Sequence, residues 1–222
     1  MNFSHLIAIA DGSGGIIYVM AVLLAVALTV IIERSVYLRL AIRRGEAMTR
    51  AVEAMQELVP AALETLAGSF GASPHEAVIR AALRYPELRD PDRLGEILEE
   101  AILWQAPAID RGLWALDTII TLAPLLGLLG TIIGMFNTFQ VLGSGAGAPT
   151  AISGGVGEAL VATACGLSIA IIGLVFFNGL NSSVRLVVHQ METLKIMLVN
   201  RLAMSRARLE IVSDGRPVRI RA

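Results

Sequence analysis

Three uninterrupted apolar runs dominate the pattern of this 222-residue chain. No Asp, Glu, Lys, Arg or His occurs from Gly12 to Ile32, from Thr118 to Gly157, or from Ala159 to Val184. A membrane-spanning helix needs about 20 predominantly apolar residues, so the runs predict three spans. A very apolar soluble bundle would need polar stripes on its helices, and these runs have none. Between the first two runs the pattern changes to helical spacing with charge. "EAMTRAVEAMQELVPAALETL" repeats apolar residues at helical intervals, with Pro60 as a break. "SPHEAVIRAALRYP" opens with Ser73 as N-cap, Pro74 at the first helical position and Glu76 closing a capping box. "DPDRLGEILEEAILWQ" repeats the device from Asp90. After Pro107, a longer helix is expected from Leu113 to about Val141. "GSGAGAPT", Gly143–Thr150, reads as a turn. Beyond the third run, Val184, Val187, Val188, Met191, Leu194, Leu198 and Leu202 recur at helical spacing, so that helix is expected to continue past the membrane.

The expected organisation is therefore all-α. Residues 1–15 form a short external segment, 16–32 the first span and 33–112 a helical domain. Residues 113–142 form the second span with an extension, 143–154 an outer turn, 155–184 the third span, and 185–222 a helix with a loose tail. Twenty-nine residues from Leu113 to Val141 make about 43 Å of helix, more than the ~30 Å hydrocarbon core. The second span is thus expected to project with the third as a paired stalk. The first run lacks a basic n-region and a small-residue cleavage site, so it reads as a retained helix rather than a signal peptide.

Composition agrees, with 55% hydrophobic and 17% charged residues against about 25% charged in a typical soluble domain. Charge adds orientation. Ten of the 18 Lys and Arg residues lie from Arg34 to Arg111 and the other eight from Arg185 onward. The positive-inside bias places both stretches in the cytoplasm, with the N-terminus and the Gly143–Gly155 turn outside. The net charge of −1 adds nothing about partners. No phosphate loop, metal-ligand cluster or catalytic triad is legible, so neither an enzyme nor a cofactor is indicated. The lone Cys165 reads as a small packing residue, and His75 as a first-turn helix residue.

Small and polar residues inside the spans carry the remaining signal. Ala123, Gly127, Thr131, Gly134 and Thr138 form one narrow face of the second span, and Gly130 and Gly134 form a GxxxG. Ala159, Thr163, Gly166, Ala170 and Gly173 repeat the rhythm in the third. Lipid gives no hydrophobic reward for helix association, so contact relies on small residues and on Ser or Thr bonding across the gap. Gly127, Gly130, Gly134, Gly166 and Gly173 are read as helix-packing residues. Thr131 and Thr163 fall at matched depth near mid-membrane, and either pack or form a polar belt. Glu158 is the single ionisable residue between Asp117 and Arg185. It is either a dipole partner at a helix N-terminus or an ion-pathway carboxylate. Pro124 removes a backbone bond from the second span, with Thr121 placed to help satisfy the freed groups and a kink expected there. Asp117 belongs at the cytoplasmic mouth.

"LAPLLGLLGTIIGMFNTF" (Leu122–Phe139) and "ISGGVGEALVATACGLSIAIIGLVFFN" (Ile152–Asn178) resemble the two core helices of the ExbB/TolQ/MotA proton-channel family. The three-helix layout is similar to the ExbB and TolQ branches, and ExbB is the nearer of the two. The resemblance implies a homopentamer in the bacterial inner membrane, surrounding a single-span ExbD/TolR-type partner. That partner would carry the proton-accepting aspartate. It further implies that Thr131 and Thr163 line the pore, that Glu158 is the pore-associated glutamate, and that work passes to a TonB- or TolA-like transducer. Two features depart from the family pattern: "ISGGVGEAL" at the entry to the third span, and Ile172 where a proline is common. A non-conducting membrane scaffold is the alternative of a different class.

Overall fold

The computed structural model describes residues 15–55, 59–85, 88, 90–143 and 149–213. Expectations for the external segment, the centre of the outer turn and the tail beyond Ser213 fall outside them. Six helices follow in order: α1 Ile16–Ala54, α2 Pro60–Ser69, α3 Pro74–Arg84, α4 Pro91–Ile109, α5 Leu113–Gly143 and α6 Pro149–Ser213. No strand occurs among the described residues. The helices α1, α5 and α6 are each long and apolar enough to cross a membrane. This is an all-α membrane protein with three candidate spans and a separate helical domain.

The chain divides into two compact units. One, apolar, holds residues up to Ser35 and Gly112–Leu180; the other, basic, holds Val36–Arg111 and the residues from Asn181 onward. The long helices α1 and α6 contribute to both. In the apolar unit, much of the span surface is outward-facing hydrocarbon, including Val22, Leu125, Phe136, Phe139, Ile171 and Val175. Such contiguous apolar surface is stable only against lipid or another chain.

Several boundaries differ from the sequence expectation for identifiable reasons. The first helix does not stop at Ile32, because Ser35 to Ala54 contains no proline and only one glycine, and α1 continues to Ala54. Its end is capped from outside: Arg201 of α6 donates to the carbonyls of Val52 (2.7 Å), Glu53 (3.1 Å) and Met55 (2.8 Å). A cation on the last carbonyls of a helix satisfies orphan acceptors and favours the negative dipole end. The helix that carries the third span, α6, begins at Pro149 rather than near Gly155, since a proline at the first helical position lacks only an N–H that would be unpaired there. Pro107 lies inside α4; the chain turns instead at Gly112, whose φ of +81° suits glycine.

The basic unit packs α2 on α3 and α3 on α4. Ser73 caps α3 by accepting from Glu76 N–H at 3.3 Å, and Asp90 caps α4 by accepting from Asp92 N–H at 3.0 Å. The capping box does not close: the Glu76 carboxylate accepts from Arg80 at 2.6 Å instead. The apolar stripe of α6 is buried at Val187, Met191, Leu194, Leu198 and Leu202. Within this unit the second half of α1 is joined to it through the Arg201 cap. An ion pair between Lys195 and Glu99 ties α6 to α4.

His75 is fully buried here, against α1 and α6. A Cβ at Gly45 would collide with the His75 ring and with Gln190 Oε1, so only glycine fits. Gln190 Oε1 lies beside the imidazole, but neither ring nitrogen makes a well-formed hydrogen bond. Burial pushes the His75 pKa down from 6.5 to about 4, and Gln190 pulls weakly the other way. Unfolding therefore takes up a proton between these pH values, and stability falls as pH drops through that window. A loss of about 2 kcal/mol is expected between pH 7.5 and 5. Thermal melts of the wild type should show it, and His75→Gln should flatten the slope. An equal slope in both would contradict the assignment.

Candidate functional site

Small residues and the side chains of Thr138 and Thr163 line the seam between α5 and α6. Its register follows from what a Cβ would meet at each glycine. At Gly173 it would lie 2.8 Å from Ile120 Cγ1, and at Gly166 it would run into the Ala123 carbonyl oxygen. At Gly127 it would lie 3.0 Å from the Ala162 carbonyl oxygen and 3.0 Å from Thr163 Cα. At Gly130 and Gly134 it would lie 2.8 Å from the Cβ atoms of Ala162 and Ala159. Gly155 faces the Thr138 hydroxyl. The two helices are thus antiparallel and in near backbone contact over Ile120–Thr138 and Gly155–Gly173. Ile16, at the start of α1, approaches the seam at Gly130.

This register places Thr131 and Thr163 within about one helical turn of each other along the seam, because Thr163 sits on Gly127 and Ala162 on Gly130. Their hydroxyls are used differently. Thr163 Oγ1 donates across the seam to the Gly127 carbonyl at 2.9 Å, whereas Thr131 Oγ1 donates to Leu128 of its own helix at 2.7 Å. Thr118, Thr121, Thr138 and Ser168 also bond within their own helices. The Thr163 hydroxyl thus joins the two helices. A hydroxyl that donates keeps its oxygen lone pairs. Both threonines can therefore accept from a protonated carboxylic acid, and must rotate before they can donate to a carboxylate.

Glu158 is half-buried, next to Ala159 on the seam, and no hydrogen bond or ion pair joins it to another described residue. Five residues, about 7.5 Å and 140°, separate it from Thr163. The register thus puts the two threonines within about a turn of each other, and Glu158, beside the Ala159 that faces Gly134, at a similar height from Thr131 but on a different face from Thr163. Asp117 is exposed near the start of α5. Pro124 is half-exposed within a continuous helix. Thr121 does not serve the carbonyl that Pro124 leaves free, that of Ile120, since its hydroxyl goes to Asp117 O at 3.1 Å. Cys165 is exposed rather than packed, as it falls on the side of α6 away from Gly166. No group of three or more His, Cys, Asp or Glu side chains able to hold a metal occurs among the described residues.

Two features escaped the sequence reading. Arg34, the first residue of the basic stretch expected in the cytoplasm, is only 4% exposed, and its guanidinium contacts the neighbouring Glu33 carboxylate at 2.9 and 3.2 Å. The Gly45–His75–Gln190 contact was also missed. An isolated glycine in a helical pattern, as at Gly45, costs helix stability but does not say which residue, if any, approaches it; Gly95 has nothing within 4 Å.

Comparison with known proteins supports the same helices. Residues 70–193 match the model of the MotA/TolQ/ExbB proton channel family. A putative biopolymer transport protein, ExbB-like 1, of Synechocystis sp. is 34% identical over 180 residues, 76% of this chain and 68% of the relative. A putative ExbB homolog of Methanothermobacter thermautotrophicus is 33% identical over 125 residues, 56% of this chain and 44% of its own length. The biopolymer transport protein ExbB of Neisseria gonorrhoeae is 37% identical over 86 residues, 38% of this chain and 39% of its own. The chain thus spans less than half the length of the latter two. With a family match covering more than half its residues, including most of α5 and α6, the chain belongs to the MotA/TolQ/ExbB proton channel family.

Proposed function

We propose that this chain is the channel-forming subunit of a proton-driven motor of the bacterial inner membrane. Five copies surround an ExbD/TolR-type partner, and the assembly passes work to a TonB-like transducer for outer-membrane transport. The N-terminus lies outside and the basic unit in the cytoplasm, as the distribution of Lys and Arg favours. The observation that carries the reading is the Thr163–Gly127 bond, with Thr131 within about a turn. It marks a level where two hydroxyl oxygens sit within about a turn of each other on a close-packed seam. There the oxygens accept from the protonated form of the partner's aspartate. When the proton leaves, the carboxylate loses that bond and calls for donors that the threonines supply only by rotating. The two protonation states thus favour different positions of the partner relative to this subunit. Each proton crossing the membrane supplies about 2.3 kcal/mol per 100 mV.

The relatives' ExbB names favour that branch over a TolQ-type role in the envelope. A scaffold reading has one observation in its favour, since each threonine hydroxyl already has a backbone partner. Native mass spectrometry of the chain co-expressed with an ExbD/TolR-type protein tests the architecture. Five copies with two of the partner is the expected mass. A self-assembly of another size, or no partner despite good expression of both, would overturn it.

A further inference from the structure

The outward stripe of α1 changes chemistry at a defined height. Tyr18, Ala21, Ala25, Ile32, Val36, Arg39 and Arg43 fall within a narrow arc of the helix, and all are exposed. Ile32 and Val36 are each 63% exposed, in keeping with a face turned to lipid. Tyr18, 48% exposed, stands where aromatic residues mark a membrane–water interface. Twenty-one residues on, about 32 Å along the helix, the stripe reaches Arg39, about one hydrocarbon thickness away. Arg43 lies about 6 Å further, within the headgroup layer.

Neighbouring acids are engaged elsewhere. Glu33 pairs with Arg34 at 2.9 Å and Glu46 with Arg50 at 3.1 Å, and neither Arg39 nor Arg43 is in an ion pair among the described residues. Two uncompensated guanidinium groups one turn apart thus end a hydrocarbon-facing stripe. Guanidinium binds phosphate oxygens in forked pairs. We propose that Arg39 and Arg43 seat the phosphate of an anionic phospholipid in the leaflet on the basic side of the membrane, with Ile32 and Val36 against its acyl chains. A zwitterionic lipid offers the same phosphate with a compensating ammonium, and so leaves the two positive charges unmatched.

The test reconstitutes the full chain in nanodiscs of phosphatidylcholine with one-fifth phosphatidylglycerol, extracts it, and measures co-purified lipid by mass spectrometry. At about 1 kcal/mol per arginine near an anionic surface, the phosphatidylglycerol ratio should exceed the bulk ratio by about five- to thirtyfold. Arg50→Gln should retain this enrichment, and Arg39→Gln with Arg43→Gln should lose most of it. High salt should weaken it in the unaltered chain, as screening requires. An unenriched wild type, or an enrichment indifferent to salt or to the double substitution, would overturn the proposal. Loss of self-assembly by the double variant with lipid retention unchanged would also overturn it, assigning the surface to a second copy of the chain.

Discussion

Gly166→Ala should destabilise the protein, although alanine is the better helix former. In a helix interior alanine gains about 1 kcal/mol over glycine, and at Gly157, where a Cβ would meet nothing within 4 Å, that gain should appear. At Gly166 the added carbon would fall on the Ala123 carbonyl oxygen, with the Ala123 carbonyl carbon at 3.1 Å and Gly127 Cα at 3.2 Å. All three are backbone atoms, so no rotamer change relieves the overlap and α5 and α6 must separate. Overpacking of this kind costs about 1–3 kcal/mol, and separation also strains the Thr163–Gly127 bond. Melts in detergent should show Gly166→Ala lowered by several degrees, at about 2–4 °C per kcal/mol for a chain this size. Gly157→Ala should be unchanged or raised. Equal melting of the two variants would mean that the seam does not hold the fold.

Thr131→Val with Thr163→Val should have the opposite profile: little effect on assembly and a large one on coupling. Valine preserves the branched shape and removes the hydroxyl. Interhelical hydrogen bonds in membranes contribute about 0.6 kcal/mol on average, so loss of the Thr163–Gly127 bond leaves the seam glycines in control of packing. Hydrogen bonds to charged groups are stronger, at about 1.5–3 kcal/mol, which applies once a threonine has rotated to donate to the carboxylate. Losing such a bond where a carboxyl exchanges its proton should slow turnover by about ten- to a hundredfold. Energy-dependent uptake in cells carrying the double variant should fall accordingly, with the amount of assembled complex preserved.

The parts of this architecture that were legible in sequence are those imposed locally. Lipid requires about 20 apolar residues at a stretch, so the three spans stand out. Close helix approach requires small residues three and four apart, so the faces around Gly127 and Gly166 can be read before their partners are known. Long-range pairing is different. Nothing near Arg201 announces that it caps Val52, Glu53 and Met55, and nothing near Gly45 names His75 and Gln190 as the groups that exclude a side chain there. The same limit applies to the two threonines. Their matched depth follows from helical rise, but that Thr163 bonds across the seam while Thr131 bonds within its own turn is a tertiary fact. The end of α1 was misjudged at Ile32, where the helix simply continues to Ala54, because a change of polarity does not break a helix.

The central claim is that the threonine level of the seam lies on a proton path. Its most direct test is proton flux into liposomes containing the chain assembled with its ExbD/TolR-type partner, under an imposed membrane potential. The account predicts measurable flux for the unaltered assembly and at least a tenfold fall for the intact Thr131→Val, Thr163→Val assembly. Undiminished flux in that variant would contradict it and leave the threonines as packing residues alone.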